Sequence, residues 1–134
     1  MILTNVPAPE WKYPVLTVNA LCEILKDAVE GKYIGKSCKG VQRIGLVGSM
    51  ARGEHSRVSD VDLLLDSSCF LEDLNVLGES VGSILDNEYN KRLDIIDFRF
   101  ALDVAEGKKH ADGIWKHRNG YARMLKEVMW IYGQ

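Results

Sequence analysis

Apolar positions recur along this chain with two different periods. After Thr17, residues Leu21, Ile24, Leu25 and Ala28 follow i, i+3, i+4, i+7, with Glu23, Lys26 and Asp27 elsewhere around the turn. That spacing predicts a helix with one buried stripe, and Gly31 is a reasonable stop. A second helix is predicted from Phe70 to about Glu88, where Leu74, Leu77, Val81, Ile84 and Leu85 share a face. Gly78 and Gly82 lower its propensity but would allow close packing on a sheet; Asn87 and Asn90 mark the turn out. A third is predicted over Ile114–Tyr132 through Tyr121, Met124, Leu125, Val128 and Tyr132.

Between the helices stand short apolar runs bounded by Gly, Ser or Asp, the mark of buried strands. The first covers about Val41–Val47 and the second about Val61–Leu65, with a short helix near Met50–Arg52 between them. The segment Lys91–Phe100 is another strand candidate. Lys32–Gly40 reads as a basic, glycine-containing loop, Glu54–Val58 as a polar connection, and Ala101–Gly113 as less regular. Alternation of strands and helices predicts an α/β (α+β) fold, a small mixed β-sheet with helices packed on it and a C-terminal helix. No internal repeat or second domain is visible.

All three prolines, Pro7, Pro9 and Pro14, lie in residues 1–15 with Trp11 and Tyr13, which predicts an extended N-terminal arm. Residues 16–134 then form a single domain, a length that supports a modest core. A formal net charge of −2 argues against a general nucleic-acid binder. Cys22, Cys38 and Cys69 lack metal-type spacing and read as reduced thiols of a cytoplasmic protein. No signal peptide and no apolar stretch of membrane-spanning length is found, so no membrane partner is expected.

The chemistry concentrates between Ile44 and Asp66. The first strand ends in Gly48-Ser49, and a polar loop leads to Ser59-Asp60-Val61-Asp62-Leu63. Residues i and i+2 of a strand share a face, so Asp60 and Asp62 would project together from an apolar strand. Carboxylates that close repel unless a cation lies between them. Hard oxygen donors on a rigid element suit Mg²⁺, which commonly takes one or two carboxylates plus substrate phosphates. The Gly48-Ser49 turn would let a phosphate approach the backbone N–H groups. Taken singly, a Gly-Ser turn or an Asp-x-Asp pair is usually only a turn or a solvated strand end; the combination points to a nucleoside triphosphate.

Gly48-Ser49-x-Ala51-Arg52-Gly53, five residues, then Ser59-Asp60-x-Asp62-Leu63 resembles the signature of the DNA polymerase β-like nucleotidyltransferase superfamily. The short chain resembles its minimal nucleotidyltransferase branch. The resemblance implies transfer of AMP from ATP to an acceptor hydroxyl, with release of pyrophosphate and two Mg²⁺ ions as cofactor. Asp60 and Asp62 would hold the metal at the triphosphate and bridge to the second. The superfamily also places a third carboxylate on a neighbouring strand in an apolar-Asp-apolar setting. Leu93-Asp94-Ile95 matches it; Asp97 is the alternative, and the two cannot both join because they face opposite sides. Asp94 would complete the second metal and help deprotonate the acceptor. Gly48 and Ser49 would hold the β- and γ-phosphates, and Arg52 would either neutralise phosphate charge or brace the loop. Such chemistry needs positioning and charge stabilisation rather than a nucleophilic side chain. His55, His110 and His117 are therefore not required, and Arg57 is read as solvent-facing as readily as phosphate-binding.

Resemblance also implies the biology. Minimal nucleotidyltransferases are often antitoxins that adenylylate a tyrosine on a HEPN-type ribonuclease toxin, and that protein partner is the leading expectation, with a homo-oligomer possible. The segment Lys108-Lys109-His110 and the cluster Trp115-Lys116-His117-Arg118 form a longer basic-aromatic tail than that pattern, either plain surface or a place for an acceptor to dock. Two rivals remain: transfer to a small molecule of the aminoglycoside type, and a toxin-binding module without catalysis.

Overall fold

The computed structural model describes residues 13–54, 59–107 and 118–133. Most of the N-terminal arm, His55, Arg57, Lys108–His110 and Trp115–His117 lie outside the described residues. The elements run α1 (Val18–Val29), β1 (Val41–Val47), α2 (Gly48–Ala51), β2 (Val61–Ser67), α3 (Phe70–Tyr89), β3 (Leu93–Asp97), α4 (Phe98–Ala105), α5 (Arg118–Glu127) and β4 (Met129–Tyr132).

The strands form one mixed sheet in the order β3-β2-β1-β4. β1 pairs antiparallel with β2 and with β4, whereas β2 and β3 run parallel. The two-residue alternation of each strand sorts side chains between two helical layers. Ile44, Leu46, Val61, Leu63 and Leu65 face α1 and α3, where they bury against Leu21, Leu25, Leu77, Val81 and Leu85. Val47 and Leu64 face the other way, against Ala101 of α4 and the partly buried Tyr121, Met124 and Leu125 of α5. Asp62 and Leu64 lie two residues apart, as do Asp94 and Ile96. Both aspartates therefore point to the α4/α5 side.

Local chemistry accounts for the helix ends. Thr17 caps α1 by accepting from the Ala20 N–H at 3.0 Å, and α3 closes on Asn90 in the left-handed region at φ 53°. Asp73, buried in the first turn of α3, accepts from the N–H groups of Lys39 and Gly40 at 2.9 Å each and from Ser67 Oγ at 2.6 Å. One carboxylate thus ties the basic loop and the end of β2 to α3.

Three sequence expectations change. The predicted strand to Phe100 stops at Asp97, because the Asp97 carboxylate accepts from the Arg99 N–H at 3.0 Å and caps a new helix, α4. That helix occupies part of the segment read as irregular. The predicted helix to Tyr132 ends at Glu127, and Met129–Tyr132 form an edge strand on β1. Its apolar residues satisfy helical spacing, but the open edge of β1 offers ladder hydrogen bonds that override it. Gly45 makes that pairing possible, since a Cβ there would collide with Val128 Cγ2 and meet the Trp130 ring at 3.1 Å. Gly78 and Gly82 are not needed for close packing: a Cβ at the first meets nothing within 4 Å, and at the second only Leu93 Cδ2 at 4.0 Å. Among the described residues, no helix is long and apolar enough to cross a membrane.

Candidate active site

The chain turns out of β1 at Gly48, whose φ of +78° favours glycine on conformational grounds. A second reason is spatial. A Cβ at Gly48 would stand 2.5 Å from Asp62 Oδ2, so the absent side chain brings backbone and carboxylate together. Gly48 opens α2, and the Arg52 and Glu54 N–H groups donate to the Gly48 and Ser49 carbonyls at 3.2 and 2.9 Å, closing a compact turn.

Asp62 lies opposite Val47 on one side and is in register with Asp94 on the other. Parallel pairing of β2 with β3 makes this so, and the two carboxyl groups come within hydrogen-bonding reach. Burial pushes the Asp62 carboxyl above its ordinary range; the charge of Asp94, then that of Asp60, adds to the shift, while Arg92 opposes it. A site that penalises its own negative charge favours a cation.

Asp60 immediately precedes β2, its charge adds to the shift of Asp62, and its Oδ2 accepts from Arg92 Nη2 at 3.2 Å. Asp97, the alternative third carboxylate, is spent on capping α4 and stands at the far end of β3 from Asp94. Arg52 makes bracing contacts: its Nε donates to Glu54 Oε1 at 3.0 Å, and its Nη1 lies 3.8 Å from Glu127 Oε2 on α5. The Asp62 charge also reaches Arg52.

Among the described residues, no group of three or more His, Cys, Asp and Glu side chains forms a ready metal site. The donors nonetheless fit Mg²⁺ held jointly with a substrate. Two hard carboxylates, Asp62 and Asp94, meet beside a turn that lacks a side chain, and Mg²⁺ takes its remaining oxygens from phosphate and water.

Residues that the sequence did not single out for the site come from α5. A cavity of about 340 Å³ runs between the Gly48 turn and α5, lined by Arg52, Glu54, Gly120, Arg123, Met124 and Glu127. A second, of about 330 Å³, adjoins it through Gly120 and Met124 and is bounded by Ile96 and Tyr121. The helical spacing of Tyr121 and Met124 is legible in the sequence but points to core or a dimer face rather than to a ligand site.

A search of curated proteins finds no match for this chain. The family model described as nucleotidyltransferase domain matches residues 22–110, a span holding the Gly48-Ser49 turn, Asp60, Asp62 and Asp94. Strand, glycine turn and paired strand carboxylates thus stand inside the matched region, and the chain belongs to the nucleotidyltransferase domain family of the DNA polymerase β-like superfamily.

Proposed function

We propose that this protein transfers AMP from ATP to an acceptor hydroxyl, in a Mg²⁺-dependent reaction that releases pyrophosphate. The observation that carries the reading is the Asp62–Asp94 pair in register beside Gly48. Asp60, Asp62 and Asp94 would hold the metal, which when bound would neutralise charge on the transferring phosphoryl group. Gly48 and Ser49 receive the β- and γ-phosphates at the turn. Arg52, with Glu127 holding it toward α5, faces the same cavity and adds positive charge to the triphosphate end.

The acceptor oxygen attacks the α-phosphorus, the bond to the β-phosphate breaks, and pyrophosphate leaves with its electron pair. Asp94 takes the acceptor's proton, since its carboxylate stands on the strand beyond Asp62, away from the Gly48 turn. Ile96, two residues along β3 on the same face, bounds the second cavity together with Tyr121 and Met124. That apolar, aromatic lining suits a tyrosine hydroxyl better than a polycationic sugar, which would ask for carboxylates. It supports a protein acceptor, for which a HEPN-type toxin is the leading partner.

Incubation with α-labelled ATP and Mg²⁺, using a lysate of the source cell as the acceptor pool, tests the reading. Wild type should label a protein band that an Asp60→Asn/Asp62→Asn variant leaves unlabelled. Label on a small molecule would move the acceptor to the antibiotic class. ATP binding with no transfer to any acceptor would overturn the enzymatic reading in favour of a binding module.

A further inference from the structure

The turn that joins α3 to β3 grips the segment carrying Asp60 at three points. The Val61 N–H donates to the Arg92 carbonyl at 2.9 Å. Lys91, only 4 % exposed, donates from Nζ to the Ser59 carbonyl at 2.8 Å. Arg92 Nη2 reaches Asp60 Oδ2 at 3.2 Å. The turn is itself fixed, because Asn90 adopts the left-handed region and the Lys91 N–H returns to the Leu85 carbonyl at 2.9 Å. Two adjacent cations therefore bear on the Asp60 segment, Lys91 through the carbonyl of the preceding Ser59 and Arg92 through the Asp60 carboxylate itself.

Their surroundings differ. A lysine this buried loses the hydration of its ammonium, so it is retained where its hydrogen bonds define a position. Arg92 is exposed, and exposed ion pairs are weak and yield to competitors. The oxygen it holds is one that a divalent cation at the site would use.

We propose that Lys91 and Arg92 act as opposed positioning residues for Asp60: Lys91 fixes where the carboxylate stands, and Arg92 competes with a divalent cation for it. The inference rests on the proposed reading in which Asp60 joins Asp62 and Asp94 as a metal ligand. Removal of one cation should weaken metal binding and removal of its neighbour should strengthen it, an outcome that general damage to the fold does not produce.

The test is Mn²⁺ binding to the full chain, read by electron paramagnetic resonance of the free ion, with circular dichroism as a check on folding. Arg92→Gln should bind Mn²⁺ about two- to five-fold more tightly, the range open to an exposed ion pair. That gain should shrink between low and high salt as screening removes the competition. Lys91→Met should bind more weakly, and Lys91→Arg, which keeps the charge, should recover part of the loss. Unchanged or weaker binding by Arg92→Gln overturns the proposal, as does a folded Lys91→Met with wild-type affinity. Label transfer by the wild type alongside either result leaves the enzymatic reading standing; a wild type that binds no Mn²⁺ and transfers no label removes both.

Discussion

Asp62 and Asp94 stand side by side, in register on the parallel strands β2 and β3, with no lysine or arginine between them in the strand register. Neither residue's local sequence dictates the pairing; the parallel register does. The pair has a measurable cost. A carboxyl with a raised folded-state pKa binds its proton more tightly folded than unfolded. Its contribution is stabilising below the ordinary value of 3.8 and is lost as pH rises through the raised folded value. Asp62→Asn should accordingly raise the melting temperature at pH 7–8 in the presence of a chelator, with the gain fading toward pH 4. Thermal unfolding of both proteins across that range decides it, and a variant destabilised at neutral pH would contradict the account.

Gly48 should tolerate no side chain. Alanine there must hold a left-handed conformation, costing about 1–2 kcal/mol, and its Cβ would press on Asp62 Oδ2 at 2.5 Å. Displacing a reacting carboxylate by about 1 Å can cost on the order of 100-fold in rate. Gly48→Ala should thus lose transfer activity by at least that factor and also lose about 1–2 kcal/mol of stability, too little to account for the loss of rate. Denaturant melts and initial rates on the same preparation separate the two effects.

How far these features could be read in advance varied with the kind of force that sets them. β1 and α3 were legible within a residue or two, because their apolar periodicity and their Gly and Asn boundaries agree. α4 is short enough to hide beside the apolar strand that precedes it, although Asp97 ahead of Phe98, Ala101, Leu102 and Ala105 carries a cap and an i, i+3, i+4, i+7 stripe. The residues Met129–Tyr132 misled because their strand state depends on a partner far away in the chain. The Gly48 turn is marked by its motif, whereas the register that sets Asp94 beside Asp62 and the contact of Asp60 with Arg92 join distant segments that spacing does not encode.

Asp73 offers a test remote from the chemistry. Its carboxylate satisfies two backbone N–H groups and a buried hydroxyl. Asp73→Ala strands those donors, and a cost of about 3 kcal/mol is expected. A urea melt with unchanged slope and a lower midpoint would agree; a change below about 0.5 kcal/mol would show that water replaces the carboxylate.

The position of β4 has a kinetic meaning as well. Ile44 meets Leu65 on one side, a partner nearby in the chain, and Tyr132 on the other, a partner reached only after most of the chain has been laid down. Loop closure favours the first pairing, and a four-residue edge strand has little to hold it once opened. β4 and the adjoining α5 should therefore dock late and fray first, with amide hydrogens that exchange faster than those of β1 and β2. The wall of the cavity beside Gly48 is built on this late-arriving element. The shape of that cavity then depends on the same local opening that folding leaves until last.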